Sequence, residues 1–162
     1  MDGMDDLVQF LRARLDEDEQ AARAATGGPW VLDDERHAEQ ILTADESVVV
    51  VGGSRWSGEA PVFETTADGL HIARHDPARV LAEVDAKRRI LLLHNIPAVV
   101  SPKMAALGLR EGEAPEDDRR CAGCGLDNMD DPITPDVNAC PILRALALPY
   151  AGHDDFKEEW RG

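Results

Sequence analysis

Aromatic residues, cysteines and long apolar runs are all scarce in this chain of 162 residues. Aromatic residues make up 4% of it, so the core must consist mainly of Leu, Val, Ile and Ala. No apolar run approaches the roughly 18 residues that a membrane span needs. The acidic N-terminus lacks the positively charged flank of a signal peptide. These absences predict a cytoplasmic location, where a Cys-x-x-Cys pair is more often a metal or redox site than a disulfide.

Positive charge is also scarce. Lys and Arg number 17 against 32 Asp and Glu, which gives a net charge of −15. The basic residues are interspersed with carboxylates, as at Arg119 and Arg120. The sequence therefore shows no segregated run of basic residues that could bind a phosphate backbone. Nucleic-acid binding is therefore disfavoured, and a protein partner is the expectation. The alternatives are an acidic decoy that occupies a nucleic-acid-binding protein, or an unrecognised small enzyme.

The apolar spacing predicts two long helices. Leu7, Leu11 and Leu15 repeat on one face of a helix over residues 4–26, which Gly27-Gly28-Pro29 ends. Asp76 is a good N-cap and Pro77 suits the first helical position, so the second helix begins there and continues to about His94.

The residues between these helices, and those after them, predict a small sheet and a final helix. Short β-branched pieces predict an antiparallel meander, with Val48 to Val51 as its clearest strand and "PVFETT" as a fourth candidate. The alternative prediction for residues 34–43 is a helix instead of a strand. A last helix runs from Pro141 to about Leu148. The prediction is an α+β fold: a helix–sheet–helix domain over 1–96, a linker over 97–120 that contains a short helix at Lys103 to Leu109, and a module over 121–162.

All three cysteines lie in this last module. Cys121 and Cys124 form C-A-G-C-G, whose glycines allow the backbone to fold around a metal as a zinc knuckle. Cys140 precedes Pro141 and so stands at the N-cap of the last helix, where the helix dipole favours a thiolate. Structural zinc is almost always four-coordinate, so a fourth ligand is needed. His94, at the end of the second long helix, or alternatively His153, would close a structural Zn²⁺ site.

Other interpretations of the cysteines and histidines stay open. In one interpretation the three cysteines are unrelated thiols. In a second, Cys121 and Cys124 form a redox Cys-x-x-Cys pair, and in a third the cysteines are ligands of an iron–sulfur cluster. His71 and His75 have a spacing that could share a metal on a helix. Neighbouring acid–base pairs form no recognisable catalytic set, so no catalytic residue is predicted. These pairs are His75 with Asp76, His37 with Glu35, and His153 with Asp154 and Asp155.

Three stretches carry a family resemblance: "MDDLVQFLRARLDEDEQAARAATGGPW", "HIARHDPARVLAEVDAKRRILLLH" and "CPILRALALPYAGHDDFKEEWRG". Together they resemble an uncharacterised actinobacterial family, found in Streptomyces-type genomes and their phages, and more loosely phage early-region proteins. The resemblance implies a domain of unknown function in a phage or mobile-element setting. The three cysteines, His153 and the helix-closing His94 all match residues of that family's pattern. The spacer between Cys124 and Cys140 is longer here than the resemblance implies.

Overall fold

The computed structural model describes residues 6–33, 40–52, 63–94, 121–129 and 132–162. The chain divides into two compact units. The terminal unit comprises Met1–Leu15 and Ala86–Gly162, and the central unit comprises Asp16–Asp85. The predicted linker over 97–120, with its short helix, lies outside the described residues. None of the described helices is both long and apolar enough to cross a membrane.

The predicted α+β fold is confirmed: a long N-terminal helix, a small antiparallel sheet, further helices and a C-terminal hairpin follow one another. The helices are α1 (Asp6–Ala24), α2 (Thr66–Arg74), α3 (Pro77–His94) and α4 (Pro141–Ala147). The strands are β1 (Trp30–Asp33), β2 (Gln40–Thr43), β3 (Val49–Val51), β4 (Cys121–Leu126) and β5 (Pro132–Thr134). Short 3₁₀ turns cover Val137–Ala139, Leu148–Tyr150 and Glu158–Arg161.

The central unit is a three-stranded antiparallel sheet in the order β1-β2-β3, with α2 packed on it. The buried core of this unit contains Ile41 of β2, Ala73 of α2, and Phe63, which precedes α2. The carboxylate of Asp76 accepts the backbone N–H of Trp30 at 2.8 Å and that of Arg79 at 2.8 Å. The predicted N-cap therefore also ties the first strand to the start of α3.

One helix of the central unit, α2, was missed by the sequence prediction. The fourth candidate strand covers residues 61–66, of which 61 and 62 lie outside the described residues, and α2 begins at Thr66. A capping box holds its first turn: the Thr65 side chain accepts the Asp68 N–H, and the Asp68 carboxylate accepts the Thr65 N–H. This local hydrogen bonding favours a helix from Thr66 onward.

The core of the terminal unit forms where the first turns of α1 meet the C-terminal elements. Its buried members are Leu7, Val8, Phe10, Leu11, Leu91, Cys121, Val137, Cys140, Leu143, Ala147 and Trp160. Trp160 exposes 1% of its surface and packs its ring 5.0 Å from that of Phe10. The backbone N–H of Leu7 donates to the side-chain oxygen of Asn138 at 3.0 Å. Packing and this hydrogen bond together position the C-terminal elements that carry the three cysteines.

Candidate metal centre

Four side chains from three separate segments of the terminal unit converge on one point. His94 is the last residue of α3, Cys121 begins β4, and Cys124 lies three residues further along that strand. Cys140 immediately precedes α4. Their ligand atoms all lie within 4.8 Å of one another, so the group could hold a metal ion. The predicted ligands His94, Cys121, Cys124 and Cys140 are thus brought together.

Five of the distances within this group lie between 3.2 and 3.8 Å. Nδ1 of His94 lies 3.2 Å from Sγ of Cys121, 3.4 Å from Sγ of Cys140 and 3.8 Å from Sγ of Cys124. Sγ of Cys124 lies 3.6 Å from that of Cys121 and 3.5 Å from that of Cys140. The three sulfurs are free thiols rather than disulfide partners. The four atoms therefore surround a single small volume.

Burial and hydrogen bonding act differently on the three thiols. Burial, together with hydrogen bonds to the neighbouring cysteines, raises the pKa of Cys121 from 9.0 to about 12. Burial also raises the pKa of Cys140, although the backbone N–H groups of Leu143 and Ile142 favour its thiolate without forming a full capping hydrogen bond. A cation is what would allow such crowded, buried thiols to ionise together.

Cys124 is the most accessible of the three. Burial acts to raise its pKa, but hydrogen bonds from the Thr134 hydroxyl and from the other two thiols outweigh it, so the pKa of Cys124 is lowered. Thr134 lies on β5 directly opposite Cys121 in the hairpin register. Its side chain is buried, at 8% exposure. Thr134 is a supporting residue that spacing could not reveal, because the hairpin register alone brings it to the cysteines.

A family assignment accompanies this geometry. The family described as "Family of unknown function (DUF6221)" matches residues 4–162. The chain belongs to the DUF6221 family. No curated protein and no solved structure gives a significant match to it. The description of DUF6221 names no activity.

In this DUF6221 chain His153 lies apart from the cysteines. Its Nδ1 accepts the backbone N–H of Asp155 at 3.1 Å, and its Nε2 lies against the guanidinium of Arg14. Arg14 is itself buried, at 7% exposure, and lies over the ring of Phe10. With both ring nitrogens engaged there, His153 buttresses α1 rather than joining the cluster that His94 completes.

The remaining histidine and acid pairs hold backbone in place. His75 donates from Nδ1 to the carbonyl oxygen of His71 at 2.8 Å, and the two rings are 4.3 Å apart. Asp76 accepts two backbone N–H groups, as described above. The pair of Glu35 and His37 lies outside the described residues. The catalytic candidates that the structure describes are therefore occupied by hydrogen bonds that stabilise the fold of this DUF6221 member.

Proposed function

We propose that this chain binds one zinc ion through His94, Cys121, Cys124 and Cys140, and that the zinc holds together a module that binds a protein partner. One observation carries the zinc assignment. A tetrahedral zinc with bonds of about 2.3 Å to sulfur and about 2.0 Å to nitrogen needs sulfur–sulfur edges of about 3.8 Å and sulfur–nitrogen edges of about 3.5 Å. The distances from Sγ of Cys124 to the other two sulfurs, 3.6 and 3.5 Å, and the nitrogen–sulfur distances of 3.2 to 3.8 Å are close to those edges.

The ligand set supports a structural role for this zinc. Four protein ligands complete a tetrahedron and leave no position for water or substrate. Cys121 and Cys140 are fully buried, and His94 is 9% exposed. A closed, buried site contributes folding free energy rather than chemistry.

The position of the Cys-x-x-Cys pair argues against a redox pair. A redox pair normally opens a helix after a strand, where the helix N-terminus stabilises the thiolate. Here Cys121 and Cys124 both lie within strand β4. The cysteine at a helix N-terminus is instead Cys140, which supplies a third sulfur to the same point.

The surface next to the site supports a binding role. Leu126, Met129 and Ile133, all on the β4–β5 hairpin, are 53%, 62% and 61% exposed. These exposed side chains give the hairpin apolar surface that another protein could cover. The net charge of −15 favours a partner with an apolar patch rimmed by basic residues. The proposed setting is the cytoplasm of a bacterial cell, within phage or mobile-element biology.

Elemental analysis and native mass spectrometry test the zinc. Chain purified without chelator should carry one zinc, and Cys140→Ser should weaken zinc binding by at least a hundredfold in a competition titration. Ala145→Ser, an exposed position on the same helix, is the matched control and should bind zinc like the wild type. A wild-type chain without metal would contradict the assignment.

The binding role is tested with a zinc-loaded double variant, Met129→Ser with Ile133→Ser. A host protein that the wild type captures should be identified, purified and titrated against both chains. The double variant should bind it at least tenfold more weakly, and binding should also weaken as salt rises. Val48→Ser, an exposed apolar position in the central unit, is the control and should bind normally. Equal affinity for all three chains would refute a role for the hairpin.

A further inference from the structure

Gly123, between the two cysteines of the pair, lies unusually close to the end of α3. A Cβ atom built on Gly123 would stand 2.7 Å from Cγ of His94, 2.7 Å from Nδ1 of the same ring and 2.7 Å from the carbonyl oxygen of Leu93. Cβ atoms in proteins essentially never approach another atom closer than 3.0 Å. The Leu93 oxygen belongs to the helix backbone, so it cannot rotate away. Only glycine fits at this position without a shift of β4 or of α3.

The ring atoms in contact with Gly123 include the one that faces the sulfurs. Nδ1 of His94 is the nitrogen within 3.8 Å of all three Sγ atoms. Nδ1 is bonded to Cγ, whereas Nε2 is at the far end of the ring. Ligation through Nδ1 therefore places the metal nearer to the helix backbone than ligation through Nε2 would. That geometry requires the strand that carries the cysteines to approach the helix end closely.

We propose that Gly123 is a positioning residue of the metal centre, which packs against the His94 ring and thereby selects Nδ1 as the fourth ligand atom. This inference rests on the proposed zinc site and adds how its histidine is oriented. The proton of the neutral ring then resides on Nε2. A β4 strand that stood further away would leave the Nδ1 lone pair out of reach of the ion.

A side chain at position 123 should open the site rather than abolish it. In Gly123→Ala the new methyl group displaces the His94 ring or the strand, and the three cysteines still offer sulfur ligands. The expected centre has three sulfurs and one exchangeable water. We expect zinc affinity to fall about 10- to 100-fold, the range typical of lost ligand orientation.

Gly152→Ala is the matched control, because it makes the same chemical change in the same unit. No atom lies within 4 Å of a Cβ built on Gly152. Gly125 is unsuitable as a control, since its φ of +94° lies in the left-handed region and any side chain there is strained. Comparing the two alanine variants in the same assays distinguishes the effect of the contact at Gly123 from the general effect of replacing glycine with alanine.

The experiment uses the full zinc-loaded chain labelled with ¹⁵N-histidine. Long-range ¹H–¹⁵N correlation spectra should show Nδ1 of His94 bound to zinc and Nε2 protonated in the wild type and in Gly152→Ala. In Gly123→Ala the Nδ1 signature should be lost, and a chelator competition should show at least tenfold weaker binding. In the cobalt(II)-loaded protein, the visible d–d bands should change for Gly123→Ala only.

Several results would overturn the inference. Ligation through Nε2 in the wild type would do so, even if Gly123→Ala failed to fold. So would a Gly123→Ala chain that kept the Nδ1 signature and bound zinc within twofold of the wild type. A wild-type chain that bound no zinc at all would instead overturn the proposed function on which the inference rests.

Discussion

Removal of zinc should loosen one unit of the chain and leave the other intact. All four proposed ligands lie in the terminal unit, within Ala86–Gly162. The central unit has its own core around Ile41 and Phe63 and its own sheet. The perturbation is chelation of zinc from the folded chain at neutral pH. The readout is hydrogen exchange of backbone amides, resolved along the sequence.

The magnitude follows from the linkage between binding and folding. Free zinc at a thousand times its dissociation constant stabilises the folded unit by about 4.1 kcal/mol, which is about a thousandfold in the opening equilibrium. Amides of β4, β5 and α4 should therefore exchange up to about a thousandfold faster after chelation. Amides near Cys121 and Cys140 should lose only part of their protection from exchange, because these two residues remain packed in the apolar core. Amides of β1, β2 and β3 should change by less than about threefold.

Two outcomes would refute this reasoning. Equal acceleration of the amides of β2 and α4 would show that the metal stabilises the whole chain rather than its terminal unit. Unchanged exchange everywhere would show that the four side chains hold no ion that contributes to folding. The control is the Cys140→Ser chain, in which the chelator should have little further effect.

Three other predictions concern stability. Asp76→Ala removes the acceptor of the Trp30 and Arg79 N–H groups, and urea denaturation should show a loss of about 2 kcal/mol. Trp160→Ala removes a side chain that is 1% exposed and leaves a cavity in the core, so the free energy of unfolding in the same assay should fall by about 4 kcal/mol. A loss below about 1 kcal/mol would contradict the place of Trp160 in the core. In the metal-free chain the pKa of Cys121 is raised from 9.0 to about 12, so the stability that this thiol contributes is present below pH 9 and is lost as pH rises towards 12. Thermal denaturation of the metal-free chain from pH 8 to pH 11 measures that last effect, and an unchanged midpoint would argue against it.

Helix ends could be predicted because their signals are local. The Asp76-Pro77 pair and the closing Gly27-Gly28-Pro29 act through hydrogen bonds and backbone angles within a few residues. The structure accordingly begins α3 at Pro77 and ends α1 at Ala24. The nine-residue helix α2 was missed because it is short and follows a stretch that contains β-branched residues. Its local signal, the capping box of Thr65 and Asp68, was present in the sequence.

By itself the sequence predicted that the three cysteines would lie together and that a histidine would join them. The spacing of the cysteines and the start of a helix after Cys140 can both be recognised directly in the sequence. Only the tertiary structure placed His94, and not His153, among the sulfurs, since 27 residues separate His94 from Cys121 and 46 separate it from Cys140. Packing of α3 against β4 brings those distant groups together, and it does so where Gly123 presents no side chain. Contacts of that kind depend on how whole elements pack, which the spacing of residues along a chain does not encode.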